Sequence, residues 1–542
     1  MRQNVQKHTC LRGSALLSST ASRRIVLASI STALGLAFAP FAMAQGNASA
    51  ASCFGTMPCS QGTAPPPAIV SATEEAANGG APINDSITAI EQQALQQAPG
   101  VADQTQLSAL LGKLVLYDRN ISANKLQACA SCHAKEAGFT GGKSYVNLAP
   151  GWDSGTVFYR WGQRKPNSYG YAPFSPVLHY DAGTGQFVGG NFWDLRATGL
   201  ITGNAAADHA LNPPLDPMEM AMPDQACVVY RMAAGPYRST FERVWGNGVF
   251  AVNWPANTAA KCSMPQSNEA ANPTLPTFDA ANPPTVLDLS TTDRALAIQT
   301  FHQMGLSVAA YEASPEVSAF TAKFDYTLKG QATLTAQEQA GFGLFTGRAN
   351  CSQCHAASGA QPLFTDWTTA NLGLPKNPGN PFYPLSKPDG SGFVPNPSGF
   401  SYVDPGLGGF LASPSDTNPD WKARAPAFMG RFQVATLRNV AKRPAGVFFK
   451  DYTHNGYFKD LKDLVHFYNT RDVLPACPAS VVQMGGVNPP IGQTCWPAPE
   501  VPQTVNHTQT GNLGLSSGDE DAIVAFLNTL SDGYNPATGT TE

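Results

Sequence analysis

A chain of 542 residues, 43% of them apolar and 10% aromatic, has the mass and composition for two or three folded domains, which excludes a disordered or fibrous protein. A formal charge of −4 with only 13% charged residues argues against nucleic acid or an anionic membrane surface as partner. With 50 Gly and 44 Pro, much of the chain should run as loops around a modest helical frame.

Basic residues up to Arg23-Arg24, an apolar run from Ile25 to Phe41 and then Ala42-Met43-Ala44 read as a signal peptide over residues 1–44, cleaved after Ala44 for export to the periplasm. No later run reaches the roughly 20 apolar residues of a spanning helix, so no membrane span is expected. Residues 45–95, rich in Ala, Ser, Gly and Pro, read as a flexible arm. Leu107, Leu110, Leu111 and Leu114 share one helical face leading to Cys129-Ala130-Ser131-Cys132-His133. Residues 138 to 225 are punctuated by Gly, Asn and Pro and predict loop, and a helix is expected over about 293 to 312. Thr335-Ala336-Gln337-Glu338 has capping-box spacing and opens a helix towards Cys351-Ser352-Gln353-Cys354-His355. Residues 371 to 425 lack periodicity and read as an extended surface insertion. Ser517-Gly518-Asp519-Glu520 is a second capping box, followed by an apolar stripe of Ile523, Phe526, Leu527 and Leu530 in a closing helix.

Two thiols three residues apart with a histidine directly after are what covalent c-type haem attachment requires. The thiols of Cys129 and Cys132, and of Cys351 and Cys354, would add to the vinyl groups of one haem each, with His133 and His355 as iron ligands. A bare CxxC also suits a redox dithiol or half a zinc site, but the following histidine and the lack of further CxxC pairs oppose both. Outside the signal, six cysteines remain: Cys53, Cys59, Cys227, Cys262, Cys477 and Cys495. An even remainder in an exported protein suggests three disulfides between nearest neighbours. The fold class expected is mainly α, with two cytochrome-c-like haem domains and long Gly/Pro-rich loops. The first domain would span 96–330 and the second 331–542.

Over roughly 105 to 530 the chain resembles the bacterial di-haem cytochrome c peroxidase and MauG family. The motifs that carry this are Leu111-Gly112-Lys113 through Tyr117-Asp118, Gly138-Phe139-Thr140, Phe192-Trp193-Asp194-Leu195-Arg196-Ala197, Asp216-Pro217-Met218-Glu219-Met220, Thr436-Leu437-Arg438-Asn439-Val440 and His454-Asn455-Gly456. His179-Tyr180-Asp181 with Val188-Gly189-Gly190 leans to the MauG side.

The resemblance implies that Trp193 lies between the two haems and that Glu219 is the acid–base residue on the peroxide side of the first. It also implies that Asn167 binds a calcium ion between the domains. In the peroxidases a histidine caps the first haem until the other is reduced, but no histidine lies between His133 and His179. His179 and His209 are the candidates to replace it, and both read more readily as hydrogen-bonded polar residues. At the methionine position of the second haem stands Tyr468, as in the MauG branch, with His466 and Met484 as alternative ligands.

The reading is an exported enzyme that uses hydrogen peroxide at the first haem, with the second haem as electron relay or store. Its partner would be a small redox protein or a protein substrate oxidised on a side chain. The alternatives are an ordinary cytochrome c peroxidase and, in another class, a non-catalytic electron-transfer cytochrome.

Overall fold

The computed structural model of the chain describes residues 83–148, 154–267, 285–413, 418–481 and 485–541. The expected signal peptide, the arm as far as residue 82, Met484 and the expected Cys53–Cys59 disulfide lie outside them. Labelled in chain order, the helices that frame the site are α1 (Ile83–Gln97), α2 (Gln104–Leu116), α3 (Ala205–Leu211), α4 (Thr291–Glu312), α5 (Ala336–Thr346), α6 (Leu461–Thr470) and α7 (Ser517–Asn528). Strands are few and short among the described residues, and each of their sheets has two strands. None of the described helices is long and apolar enough to cross a membrane.

The helix α2 starts where the Asp103 carboxylate accepts the Gln106 N–H. It buries Leu107, Leu111 and Leu114, the stripe seen in the sequence. α5 begins at the expected capping box, the Thr335 hydroxyl accepting from Glu338 N and the Glu338 carboxylate from Thr335 N. The box before α7 is set one residue earlier than expected: Ser516 is the cap and Asp519 closes it.

α1 is a correction, because its residues were read as the end of a flexible arm. Ile87, Ile90 and Ala94 recur at helical spacing and pack on the core around Leu111 and Leu114, while the Gln-rich remainder hides that stripe.

The helix before each CxxCH motif crosses the helix that closes its half at a glycine. A Cβ on Gly112 in α2 would lie 1.9 Å from the Ser307 carbonyl oxygen in α4, and one on Gly341 in α5 would lie 1.9 Å from that of Ala522 in α7. Only a residue without a side chain lets the backbones approach this closely. Gly341→Ala should therefore cost about 1–3 kcal/mol of overpacking strain, read as a lower denaturant midpoint, and a wild-type midpoint would refute the close crossing.

One apolar cluster runs from Ile87 to Val317 and includes Leu111, Phe139, Tyr169, Phe301 and Met304. A second runs from Phe324 to Leu530, where Phe324, Phe345, Phe364 and Phe526 pack ring to ring. Each fully buried phenylalanine contributes about 1.5–3 kcal/mol.

Residues 371 to 425, expected as a surface insertion, instead bury side chains of their own. Leu407 and Leu411 join Phe428, Leu178, Phe187 and Leu195 in a third cluster. Phe382, Tyr383 and Phe393 close over Met218 in a fourth. Asp389 and Asp404 pair with Arg160 and Arg164 at 2.8 and 2.7 Å. Two of the expected disulfides are present, Cys227–Cys262 and Cys477–Cys495.

Candidate haem sites

Both CxxCH motifs fold into the same local shape, a turn of 3-10 helix over Cys129–Ser131 and over Cys351–Gln353. After each, the chain doubles back so that a phenylalanine carbonyl meets the histidine. Nδ1 of His133 lies 3.0 Å from the Phe139 carbonyl oxygen, and Nδ1 of His355 lies 2.9 Å from that of Phe364. A carbonyl can only accept, so Nδ1 carries the proton and Nε2 keeps the lone pair that a metal takes. Phe139 and Phe364 have φ of 64° and 52°. That left-handed backbone is strained by roughly 1 kcal/mol or more apiece, and it is what aims each carbonyl at its ring.

None of the four motif cysteines is in a disulfide, unlike Cys227, Cys262, Cys477 and Cys495. Burial pushes the Cys129 and Cys351 thiols up to about 12 and Cys354 to about 11. A redox dithiol needs an easily formed thiolate, so this setting disfavours that reading. Beside the second motif, a cavity of about 250 Å³ is lined by Cys351, Cys354 and His355, with Leu372, Val465 and Leu527 among its apolar walls. Paired thiols, a histidine in the ligating tautomer and an apolar cavity fit a covalently held haem.

Tyr468, in the last turns of α6, faces this same cavity. Burial raises its phenol pKa, and the nearby Cys351 adds to the effect. His466 is not a rival ligand here: Nδ1 is 2.8 Å from the Glu520 carboxylate and Nε2 is 2.8 Å from the Gly492 carbonyl.

Trp193 lines the cavity from the other half of the chain, and its Nε1–H donates to the Lys165 carbonyl at 2.9 Å. Its turn is pinned by Asp194, which pairs with Arg164 at 2.7 Å and Arg196 at 3.0 Å. Burial alone would raise the Asp194 pKa, but the two guanidiniums outweigh it and hold it at about 2. His454 completes the wall, its ring stacked 3.5 Å from Phe432 and 6.5 Å from Trp193, with no hydrogen-bond partner on either nitrogen. Burial pushes it down to about 3, so it is neutral.

Glu219 ends a turn in which its N–H donates to Asp216 O and its own carbonyl accepts from Thr156 N at 2.7 Å. Burial raises its carboxyl pKa and the Arg196 guanidinium opposes the rise. Asp216 is raised well above the usual range by burial and by the Glu219 charge, so the two acids do not both ionise readily.

Of the two candidate capping histidines, His179 is exposed and its Nδ1 sits on the Val177 carbonyl. His209 differs from the hydrogen-bonded residue expected: it is buried against Phe192 at 4.0 Å, and its Nδ1 has no partner. Burial, with His133 and Arg196 adding to it, pushes His209 down to about 3, which places its ring on the first-motif side.

Asn167 is buried on the same cavity as Trp193. The same cavity is lined by Lys165 and Lys450 and by the carboxylates of Asp404, Asp451 and Glu500; Asp451 is 3.1 Å from Lys165 and Asp404 2.7 Å from Arg164, and the Lys450 ammonium donates to three backbone carbonyls. Two ammonium groups beside carboxylates already paired with Lys165 and Arg164 do not fit a calcium ion, which takes about six to eight oxygen ligands. Among the described residues, no group of three His, Cys, Asp or Glu is placed to hold a metal ion. Nothing in the sequence marks Lys450 as a site residue, and His454 and Arg196 are marked only by standing in His454-Asn455-Gly456 and Phe192-Trp193-Asp194-Leu195-Arg196-Ala197.

The family model described as di-haem cytochrome c peroxidase matches residues 106–333. The methylamine utilization protein MauG of Paracoccus denitrificans (strain Pd 1222) is 32% identical over 449 residues, which cover 80% of this chain and 92% of that protein. A cytochrome-c peroxidase of Pseudomonas sp. (strain SCT) is 23% identical over 430 residues, covering 78% and 80%. Among solved structures, the di-haem peroxidase BthA from Burkholderia thailandensis superposes with a TM-score of 0.53 at 22% identity, covering 80% of this chain and 89% of that one. A tyrosine-to-methionine variant of BthA gives 0.55, with 80% and 90% covered.

Proposed function

Since this chain belongs to the di-haem cytochrome c peroxidase and MauG family, oxidoreductases with two c-type haems, we propose that it is an exported, periplasmic enzyme driven by hydrogen peroxide at its first haem. The second haem serves as a store of oxidising equivalents, and the substrate is oxidised in the MauG manner, a protein side chain being the leading class. The first haem belongs to residues 96–330 and the second to 331–542, with the 371–425 segment of the second reaching over the first.

The observation that carries this reading is Tyr468. It lines the cavity beside the second motif while both nitrogens of His466 are engaged elsewhere. A haem bound there supplies a redox-active iron, and an oxygen ligand favours its oxidised states where thioether sulfur favours the reduced one.

The chain's own groups then do the following. Glu219 takes the proton from one oxygen of hydrogen peroxide and gives it to the other, which leaves as water. Arg196 holds the charge of that carboxylate, and Asp216 keeps the pair's second site protonated. The Trp193 N–H is bonded to a carbonyl, too weak a base to accept it, so the indole can lose and regain an electron without losing its proton. Neutral His454 and Phe432 beside it add no charge that would oppose this.

Tyr468→Met tests the reading. The second haem should gain the red-edge absorption of sulfur-ligated iron, and its potential should rise by on the order of 100 mV, within the roughly 0.8 V that axial ligands span. The oxidised species formed on adding peroxide should become shorter-lived. Sulfur absorption already present in the wild type, or a spectrum and potential indifferent to the substitution, would reduce the protein to an ordinary cytochrome c peroxidase.

A further inference from the structure

Among the side chains that join the segment after the first haem motif to the far half of the chain, which include Asn147 on the Phe449 carbonyl and Lys459 on the Asn147 carbonyl, Lys450 bonds both segments at once. Lys450 Nζ donates to the carbonyls of Ala137 at 2.9 Å, Asn439 at 3.0 Å and Lys442 at 2.9 Å. The first follows His133 closely. The other two flank the stretch that begins with Arg438. We infer that the ammonium group of Lys450 is a built-in cation that holds these two segments together, in the stead of a divalent metal ion beside Asn167, and that the protein neither binds nor needs calcium there.

Three observations support this independently. Three carbonyls match the three N–H bonds of an ammonium group, and a neutral amine would leave one of them without a donor. Burial, reinforced by the charge of Lys165, pulls the Lys450 pKa well below the usual lysine value, while the Asp451 charge opposes the fall and the ring of carbonyls favours the charged form. Second, the surroundings repel a dication. Lys165, Lys442 and Arg443 oppose the charge already there, and the nearby carboxylate, Asp451, is occupied by Lys165 at 3.1 Å. Calcium asks for six to eight oxygens at about 2.3–2.6 Å, and three carbonyls spaced for an ammonium hydrogen bond do not supply them.

Third, the backbone is shaped to admit the lysine. Gly138 has φ of 75°, and a Cβ on it would lie 2.8 Å from the Asn439 carbonyl oxygen and 3.4 Å from Lys450 Nζ, so the two segments close around the ammonium only because that residue has no side chain.

The link bears on the first haem. Ala137, which Lys450 holds, is two residues before Phe139, and the Phe139 carbonyl fixes the His133 ring. Lys450 is thus a positioning residue for the iron ligand, and it couples that ligand to Asn439, which in turn donates to Asp532 at 2.8 Å. Tyr171 donates to the same carboxylate oxygen at 2.8 Å, so Asp532 receives a bond from each half.

The test uses the full holoprotein. Metal analysis after exposure to calcium and buffer exchange should find well under one calcium per chain, and a calcium chelator should leave the melting temperature and both haem potentials unchanged. Lys450→Met keeps the stem and removes the charge. It should melt about 5 °C or more lower and shift the spectrum of the first haem more than that of the second.

Stoichiometric calcium that the chelator removes with a fall in melting temperature would overturn the inference. So would a Lys450→Met protein that melts and absorbs as the wild type does. If that variant does not fold, the metal content and chelator response of the wild type decide alone.

Discussion

Glu219→Gln should leave a folded protein with two haems that turns over hydrogen peroxide about a hundredfold more slowly, or worse. The amide keeps the shape of the carboxylate and can still donate to peroxide, but it cannot take up a proton. Stability should be spared, because burial raises both carboxyls, Glu219 and Asp216, and the Glu219 charge raises Asp216 further; a neutral group at 219 removes that repulsion. The loss should therefore appear in the rate of peroxide consumption and not in the melting curve. Unchanged turnover with intact haem spectra would remove Glu219 from the mechanism and assign the proton transfer to another group.

Arg438→Leu should destabilise the protein by about 3–5 kcal/mol, the cost of leaving a buried charge without its partner. Arg438 and Asp325 are both inaccessible, and the guanidinium meets the carboxylate in two bonds of 2.6 and 2.8 Å. Its Nε–H also donates to the Pro362 carbonyl at 2.8 Å, two residues before Phe364. Loss of the arginine thus releases the segment that orients His355 as well as stranding Asp325. The denaturant midpoint should fall steeply, and the spectrum of the second haem should broaden before that of the first. Adding Asp325→Leu should recover much of the stability, since an apolar pair leaves no orphan charge. A single variant as stable as the wild type would contradict the buried pairing.

How far the sequence could be read depended on how local each signal was. The haem motifs, the stripe of α2, the Thr335 cap and the two disulfides were legible because residue types at short spacing carry them. Glu219, Trp193 and Tyr468 were found through family motifs. Trp193 and Tyr468 line the cavity beside the second motif, and Glu219 shares a turn with Asp216, burial raising both carboxyls. Lys450 was illegible for a physical reason: its partners are backbone carbonyls, which every residue possesses, so no residue type marks the site. The apolar residues of 371–425 are spaced irregularly because they serve two separate clusters, and α1 was masked by its glutamines. His209 reads from the sequence as a hydrogen-bonded polar residue, and what distinguishes it in the fold is the absence of a partner at Nδ1.

The 371–425 segment also imposes an order of assembly. A chain made from its N-terminus completes Arg160 and Met218 long before Asp389 and Phe393 exist; Arg160 and Asp389 are 229 residues apart. Until then the face of the first half that bears Glu219 has an unpaired guanidinium and an exposed apolar patch, and closing so long a loop slows the final step. A fragment ending near residue 330 would therefore hold its first core yet tend to self-associate through that uncovered face. The two halves mature as one unit, and the first becomes a finished catalyst only when the second arrives.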